Sequence, residues 1–502
     1  MKKIILSCFI VALIIGLAGG VGLAEEAEEE EVDKIVVRTS DDPMTLDPFM
    51  VGGDAYAWDL SYLMNAYLFV PGPGGEDFIP DAAESWETPD DETIIFNIRE
   101  GMTFHDGEPL TADDVIFTFE KNLDPDFASY WHAELEGHID TVEKVDDYTV
   151  RVELEEPYAP IMYSFLFPIV PEHAWEEKGE DFPYEPVGAG PFKLEEWEID
   201  DHHTFTAFDD FWDGRPEIDE IEFRVMDYDT ALMAFLEEDI DVLAPGTEDM
   251  EMVEDHDNLE RVHKPGTSWY YFGINLNREP LDNKKVRQAI SYAIDREAII
   301  DAVWDGLMEP ATGPIVPLSW AYTDDVKTYE YDPVEAVQLI REAGYEPEEI
   351  EFTIKGAFTT VLEMVQEQLM RAGIEADIEI MEFGLLTEDV EAEDFDMHFR
   401  AWTRQMDPAG GIDRQFMSDT NQRIAGYSNP RVDELAEKAT STMDIDQRRE
   451  YYHELQEILA EELPVIFLSY GYHQTAYNTR IENFDYDPFY SYRTYRHMSL
   501  EE

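Results

Sequence analysis

Basic residues are scarce in this sequence of 502 residues. Lysine and arginine number 34 against 115 aspartates and glutamates, which gives a formal net charge of −81 at pH 7. A surface of this sign repels nucleic acid and anionic lipid, so neither is expected as a partner. Self-repulsion is best tolerated where salt screens charge over about 3 Å, as it does at 1 M. The composition therefore indicates a salt-rich habitat, with an ordinary acidic secreted protein as the alternative.

Cysteine is also nearly absent. The one cysteine, Cys8, lies in the context ILSC, which is similar to a lipidation motif. The apolar segment continues for many residues beyond it, whereas a lipoprotein cysteine should end that segment, so lipidation of Cys8 is not expected. If the chain is cleaved after Ala24, the mature protein has no cysteine, which excludes disulfides and cysteine-based metal or nucleophile sites.

The amino terminus has the features of a secretory signal. Lys2 and Lys3 precede an apolar run over 4–17 that is shorter than a membrane span, and small residues lead up to Ala24. The sequence predicts a signal peptide over 1–24 and an acidic leader over 25–32, with an uncleaved anchor as the alternative. We therefore expect export across the inner membrane to a periplasmic or cell-surface location.

Catalytic patterns are missing from the sequence. It contains no G-x-S-x-G, H-E-x-x-H or G-x-x-x-x-G-K-[ST] motif. His202 and His203 are adjacent, and adjacent side chains on a strand point to opposite faces, so they are not expected to bind one metal ion. Paired acids are too common here to indicate a hydrolase. We expect no enzyme activity, no cofactor and no metal site, and a composition that is 44% hydrophobic excludes a disordered acidic chain.

The readable segments alternate between strands and helices. IDEIEFRV, DTALMAFLEEDI and DVLA predict a strand-helix-strand unit, and EFTIKGAF, TVLEMVQEQLMRAG and IEADIEIMEF predict a second. DFDMHFRAW is a further strand, with Met397 and Phe399 on one side and His398, Arg400 and Trp402 on the other. This order indicates α/β domains, which bind ligands beyond the carboxyl ends of their strands. RAWTRQMDPAGG (400–411) is such an end.

Six motifs occur in an order that indicates a known family. They are TLDPF (45–49), the long segment 78–125 around GMTFHDGEPLTADDV, VGAGPFKLEEW (187–197), the segment 208–243, FGINLNREPLDNKKVRQAISYAIDREAII (272–300) and YSNPRVDELAEKA (427–439). They are spread in order over nearly the whole mature length. The sequence resembles the extracellular solute-binding proteins of ABC importers, specifically the peptide/nickel-type class, family 5.

The resemblance implies a fold and a domain organisation. The expected fold is α/β and periplasmic-binding-protein-like (type II, cluster C-like), with two lobes, a hinge and an inserted domain. The implied domains are domain I (33–71, 188–264 and 464–502), domain II (72–187) and domain III (265–463). The hinge would lie at the crossings near Lys264–Thr267 and Leu463–Pro464. The implied partners are a solute and an ABC permease in the membrane, and a monomer is expected.

The resemblance also suggests where ligand binds. The candidate contacts are Val51, Gly52, Gly53, Trp269, Tyr271, Trp402, Arg404, Gln405 and Asp407. In peptide-binding relatives, the segment after LDPF runs beside the ligand backbone like an added strand; a plain Gly-Gly turn is the alternative. Relatives also show W-x-x-D, whose aspartate holds the ligand's ammonium. Here Gln405 stands at that position, Arg404 would repel an ammonium, and Asp407 would restore an anion if the loop is offset.

The expected function is the capture of a peptide or peptide-like solute between two lobes for delivery to a permease. Because Gln405 replaces the acid, an oligosaccharide or another polar solute is the alternative ligand class. A secreted hydrolase, and a surface-attached binding protein without its own permease, are further alternatives.

Overall fold

The architecture is that of a computed structural model, which describes residues 32–403, 407–420, 424–487 and 492–501. The predicted signal peptide and most of the acidic leader therefore lie outside the described residues. The strands, in chain order, are β1 (Lys34–Thr39), β2 (Phe69–Pro71), β3 (Phe78–Pro80), β4 (Ala83–Asp90), β5 (Thr93–Ile98), β6 (Ile139–Asp146), β7 (Thr149–Leu154), β8 (Phe192–Glu198), β9 (His202–Ala207), β10 (Glu220–Val225), β11 (Val242–Leu243), β12 (Leu259–Ile274), β13 (Glu309–Pro310), β14 (Glu351–Gly356), β15 (Glu375–Ile380), β16 (Met397–Trp402), β17 (Val465–Asn478), β18 (Ile481–Glu482) and β19 (Ser499–Leu500).

Helices alternate with these strands along most of the chain. They are α1 (Ala55–Met64), α2 (Ala112–Leu123), α3 (His132–Leu135), α4 (Ile161–Ser164), α5 (Glu172–Lys178), α6 (Tyr228–Leu236), α7 (Met250–Glu254), α8 (Lys284–Ala293), α9 (Arg296–Trp304), α10 (Pro333–Glu342), α11 (Thr359–Arg371), α12 (Phe383–Glu391), α13 (Ala409–Phe416), α14 (Pro430–Ser441) and α15 (Ile445–Glu462). No helix among the described residues is both long and apolar enough to cross a bilayer.

Local sequence signals explain several of these elements. Thr111 and Asp114 form the predicted capping box of α2. The side chain of Thr111 accepts a hydrogen bond from the backbone of the first turn, and the side chain of Asp114 accepts one from the backbone amide of Thr111. Asn283 caps α8 by accepting from the amide of Lys285. Gly373, two residues after α11, has a φ of 79°, the left-handed conformation predicted for it. Both strand-helix-strand predictions are confirmed, as β10–α6–β11 and β14–α11–β15.

Most strands join one mixed sheet. Within the described residues, this sheet has 11 strands in the order β15-β14-β16-β12-β17-β11-β1-β10-β9-β8, and β13 pairs with β17. β14 is parallel to β15, and β1 is parallel to both β10 and β11. Antiparallel pairs connect these two parallel regions. The α/β class predicted from the order of the elements is confirmed.

The long antiparallel pair β12–β17 lies at the middle of this sheet. β12 spans 16 residues, and its pairing runs from Leu259↔Asn478 to Gly273↔Val465. The register shifts between Pro265 and Trp269, and the two chains approach closely there. A Cβ on Gly266 would lie 2.9 Å from the carbonyl oxygen of Gly471, so glycine at 266 allows this close backbone contact.

A separate sheet lies in the segment between β3 and β8. Its four strands have the order β4-β5-β7-β6, and all of the pairs are antiparallel. It packs on α2 around a core that includes Phe96, Phe119 and Phe165, each with no exposed surface. Residues of this segment, together with buried residues of 49–69 such as Phe69, form a hydrophobic core distinct from the clusters around the main sheet.

The two faces of the main sheet have different cores. Alternate residues of β12 divide between them: Tyr270 and Phe272 pack with helices α8 and α11, whereas Trp269 and Tyr271 pack with helices α13, α14 and α15. A further core covers β1, β9 and β10 and includes Phe223. The strand period of two residues explains this division.

Several contacts join the segment of the four-stranded sheet to helices that follow β16. The amide of Ala159 donates to the carbonyl of Thr440 at 2.7 Å. Arg449 forms an ion pair with Glu76 at 3.1 Å, and Arg414 forms one with Glu134. These contacts bridge between 280 and 373 positions of the sequence, so they depend on the tertiary fold alone.

A buried ion pair connects α13 to α15. Nη2 of Arg448 donates to both carboxylate oxygens of Asp407, at 2.9 and 2.7 Å, and both side chains are about 95% buried. Nε of Arg448 donates to the carbonyl of Ala439, and Asp407 also accepts from the amide of Ala409. The charge of Asp407 is therefore matched within the protein.

Replacement of Asp407 by asparagine should destabilise the protein strongly. Removing one partner of a buried ion pair leaves an uncompensated charge, and we expect a loss of about 3–5 kcal/mol in the free energy of unfolding. Urea unfolding followed by circular dichroism measures this loss. Glu434→Gln is the control, because Glu434 pairs with Lys438 on the exposed surface of α14, where solvent screening makes such a pair contribute little to stability. Equal losses in both variants would contradict the structural role of Asp407.

Exposed acids cover the surface without matching bases. Glu87, Asp90, Asp91 and Glu92 are all exposed at the β4–β5 turn, and the exposed face of β15 carries Glu375 with two further acids. Because the chain has 81 more acids than bases, self-repulsion opposes the compact state unless salt screens it.

Stability should therefore increase with salt concentration. Between about 0.1 M and about 2 M sodium chloride, we expect the melting temperature to rise by about 5 °C or more. Differential scanning calorimetry in the two salts measures the shift, and sucrose at the same osmolality serves as the uncharged control. A melting temperature that is unchanged or lower in high salt would contradict screening as the cause.

Candidate functional site

The carboxyl end of β16 forms one wall of a cleft. β16 pairs antiparallel with β12, so that Trp402 lies opposite Trp269 and Arg400 opposite Tyr271. Met397 and Phe399 are almost fully buried in the core, as the sequence predicted. The alternate residues His398, Arg400 and Trp402 line the cleft. The period of two residues thus places three polar or aromatic side chains on one open face.

The cleft has a volume of about 850 Å³. Its opposite walls come from α12, α13 and the segment after α13. The residues that line the cleft include Tyr271, Thr387, His398, Arg400, Trp402, Arg414, Gln415 and Thr420. A concave site of this size with a few polar groups among aromatic side chains is typical of small-molecule binding sites.

Burial sets the protonation of two cleft residues. Burial, together with the nearby charge of Arg400, lowers the pKa of His398 to about 3, so its ring is neutral at neutral pH. Burial raises the pKa of Tyr271 to about 12, so its hydroxyl keeps its proton. His398 fits there because β12 has glycine opposite: a Cβ on Gly273 would lie 2.1 Å from its Nε2.

The two arginines of the cleft differ in their partners. Arg414 forms an ion pair with Glu134. Arg400 lies over the ring of Phe383 at 5.1 Å and donates to the hydroxyl of Thr387 at 3.4 Å. Among the described residues, no carboxylate lies within ion-pair distance of Arg400. The cleft therefore contains one guanidinium whose charge is not matched.

Gln415 is the most buried polar residue of the cleft. It is 2% exposed, and both of its amide atoms lack a hydrogen-bond partner among the described residues. The neighbouring Asp413 also has a buried oxygen without a partner there. Burial, and then the charge of Asp407, raise the pKa of Asp413 to about 8, so its carboxyl is mainly protonated at neutral pH.

The predicted contacts fall into different places. Tyr271 and Trp402 line the cleft, whereas Trp269 is fully buried in the core between β12 and α15. The carboxylate of Asp407 is paired with Arg448 and is therefore not free to bind a ligand. Arg404 and Gln405 lie outside the described residues.

The segment after LDPF forms a turn, and its contact with a ligand stays a prediction. Val51–Gly53 forms a single 3-10 turn, and Val51 is fully buried. Gly52 packs beneath an aromatic ring: a Cβ there would lie 2.3 Å from Cδ1 of Tyr130. The turn alternative describes the conformation of this segment, because the amides of Val51 and Gly53 donate to the carbonyls of Asp47 and Met50.

Gln415 and Arg400 were not among the predicted contacts. A signal for Gln415 was present, since it lies between Ile412 and Phe416 on the apolar face of a helix, where a polar residue is unusual. Arg400 was predicted to lie on the open face of β16, but Arg404 was the arginine of this stretch that was predicted to contact ligand.

The paired histidines lie on opposite faces, as predicted. His203 is fully buried and bonds to the hydroxyl of Tyr56 at 2.5 Å. His202 lies with Glu198 and Asp201 at an exposed turn, the one group of potential metal ligands found among the described residues.

Comparison with known proteins gives the family. A model of the bacterial extracellular solute-binding proteins, family 5 Middle, matches residues 77–423. The chain is 32% identical over 426 residues to the oligopeptide-binding protein AppA of Bacillus subtilis, and the match covers 78% of each protein.

Solved structures agree over nearly the whole chain. The ABC transporter substrate-binding protein CtaP of Listeria monocytogenes superposes with a TM-score of 0.87 at 26% identity, covering 94% of this chain and 100% of that one. AppA of Bacillus subtilis in complex with a nonapeptide superposes with a TM-score of 0.75 at 28% identity, covering 93% and 99%. The fold is thus that of the periplasmic binding proteins, and the chain belongs to the bacterial extracellular solute-binding proteins of family 5.

Proposed function

We propose that this chain is the substrate-binding component of an ABC import system. It captures a peptide or peptide-like solute between two lobes and delivers it to a membrane permease. Membership of family 5 supports the binding role, and the oligopeptide-binding relative and its nonapeptide complex support the ligand class.

The chemistry of the cleft is the observation that carries the ligand class. Trp402 and Tyr271 supply aromatic surface. Within the part of the chain that the structure describes, Gln415 supplies an amide without a partner and Arg400 a positive charge without a carboxylate. A peptide presents the complementary groups, because its backbone has a donor and an acceptor at each residue and a carboxylate at its end. An oligosaccharide would use the aromatic surface and the amide but leave the guanidinium unmatched.

Three domains and a hinge fit this function. The separate core of the four-stranded sheet supports the inserted domain at 72–187. The register shift of β12 at Pro265 and the contact of Gly266 with Gly471 support a hinge near Lys264–Thr267. Movement there would open and close the lobes, so that bound ligand is reported to the permease as a change of shape.

The same proposal places the protein outside the cytoplasm. The predicted signal peptide over 1–24 would direct export, and the mature chain would act as a monomer in the periplasm or at the cell surface. The chain binds its solute without transforming it, as a binding protein of this family does.

Mass spectrometry of the purified protein should identify the ligand class directly. We expect peptides to be released on denaturation, and a peptide library to raise the melting temperature in high salt, since a ligand that binds only the folded state stabilises it. A sugar library is the control. Release of a sugar, with no shift by peptides, would replace the peptide assignment by the oligosaccharide alternative.

Trp402→Ala should weaken ligand binding. Loss of a half-buried aromatic wall is expected to raise the dissociation constant about tenfold or more, because aromatic residues dominate binding energies. Isothermal titration calorimetry with the identified ligand measures this change. Trp86→Ala is the matched control, because Trp86 lies on β4 and packs on the other core. If Trp402→Ala binds as tightly as the unmodified protein, the cleft is not the ligand site.

A further inference from the structure

A second cavity lies between the turn that joins α8 to α9, the segment before α10, and the junction of α15 with β17. Its volume is about 580 Å³, and it shares no lining residue with the cleft. Its apolar lining comes from Ile294, Pro310, Ala311, Leu463 and Phe467. A cavity of this size that combines apolar walls with a few polar groups is typical of small-molecule sites.

Arg296 lines this cavity and is held by neutral groups. Its Nε donates to the carbonyl of Phe467 at 2.7 Å, and its Nη1 donates to the carbonyls of Tyr329 and Ser291 at 2.9 and 3.3 Å. Its Nη2 donates to the hydroxyl of Ser291 at 2.6 Å. A guanidinium has five N–H donors. These four bonds fix its position and leave one N–H of Nη2 without an acceptor among the described residues.

The charge of Arg296 is not matched within the described part of the chain. No carboxylate there lies within ion-pair distance of its guanidinium. Burial lowers the pKa of Arg296 to about 10, which leaves the side chain charged at neutral pH. Lys327, which lines the same cavity, is paired with Glu461 at 2.9 Å. Because a buried charge without a counter-ion is costly, an anion that enters the cavity would stabilise Arg296.

Three acids line the cavity without neutralising Arg296. Asp295 accepts from the amide of Ala298 at 3.0 Å and caps α9. Glu297 and Glu330 are exposed to solvent. These acids oppose the entry of an anion at low ionic strength, and salt screens that repulsion, since the Debye length falls to about 3 Å at 1 M. An anion is therefore expected to bind best in high salt.

We propose that this second cavity is an accessory binding site for a small carboxylate that carries an apolar group. The carboxylate pairs with the guanidinium of Arg296, and the apolar group packs on the walls formed by Leu463 and Phe467. A halide ion carries the same charge but fills only a small part of about 580 Å³. The inference is independent of the proposed function, because the two cavities share no residue.

Sodium benzoate tests the class of ligand. The full mature chain, with no peptide added, is titrated in high salt by isothermal titration calorimetry. We expect benzoate to bind about tenfold or more tightly than benzamide, which has the same ring without the charge. Absence of benzoate binding, or equal affinity for benzoate and benzamide, would overturn the proposal. Neither result would affect peptide binding in the cleft.

Crystallography with para-iodobenzoate locates the bound anion. The anomalous signal of iodine marks the ring, and we expect the carboxylate to lie within hydrogen-bond distance of Nη2 of Arg296. Crystals grown in sodium bromide test the halide. Bromide beside Arg296 with no iodobenzoate in this cavity would replace the carboxylate by a halide ion and overturn the proposal. Iodobenzoate found only in the cleft would also overturn it.

Thr328→Trp tests the cavity without changing the bonds of Arg296. Thr328 is exposed and lines the cavity, so a large ring at this position competes for the space that benzoate occupies. We expect the affinity for benzoate to fall about tenfold or more. Thr88→Trp is the matched control, because Thr88 is exposed on β4 of the separate sheet. An unchanged affinity in Thr328→Trp would show that benzoate binds elsewhere.

Arg296→Gln tests the assigned cation. Its bonds to the backbone help to hold the fold, so circular dichroism first checks that the variant is folded, and Thr328→Trp decides the matter if it is not. In the folded variant, we expect the preference for benzoate over benzamide to disappear. Arg400→Gln is the matched control, because it removes a cation from the cleft instead. Loss of the preference in Arg400→Gln, with the preference kept in Arg296→Gln, would assign benzoate to the cleft and overturn the accessory site.

Discussion

The pairing of β12 with β17 is the constraint on which the rest of this structure depends. These two strands run through the centre of the 11-stranded sheet and connect its two parallel regions. The second half of β17 pairs with β11, and the second half of β12 pairs with β16 at the cleft wall. Because alternate residues of β12 enter cores on opposite faces, the same strand orients the helices on both sides. A change in its register would move the cleft wall and both cores together.

The cleft contains arginines in a chain in which acidic residues greatly outnumber basic ones. Acids outnumber bases by 81 in this chain, so a positive group can readily find a negative neighbour. Arg448 does so in the core, with Asp407, and Arg414 does so between distant segments, with Glu134. Among the described residues, Arg400 has a hydroxyl and an aromatic ring as its partners and no carboxylate. In a low-dielectric cleft, an unmatched charge has more influence on a ligand than it would have in water. In this acidic chain, an arginine without a carboxylate partner among the described residues therefore favours ligands that carry a negative charge.

Much of the architecture could be predicted from local patterns, because these patterns are short-range. The capping box at Thr111, the glycine after α11 and the alternation along β16 each involve residues within a few positions of one another. Two predictions about the ligand site depended instead on contacts between residues that are far apart in the sequence. The segment 51–53, predicted to run beside the ligand like an added strand, forms a turn in the structure. Gly52 packs there beneath Tyr130, about 80 positions away. Asp407 as a ligand contact depended on whether another residue would use its carboxylate, and Arg448 lies 41 positions further along the chain.

By itself, the sequence determined the α/β class, the family motifs, the two faces of β16 and the acidic surface, because composition and short-range periodicity are sufficient for these. The tertiary structure decided which polar groups are matched. Asp407 is paired with Arg448 of α15, and Trp269 is enclosed by the core. Gln415 and Arg400 line one cleft, where the amide of Gln415 has no hydrogen-bond partner and Arg400 no carboxylate partner among the described residues. Pairing of buried charge and amide groups is set by distances of a few ångströms between segments far apart in sequence. No local pattern contains those distances, so the groups available to a ligand appear only once the chain is folded.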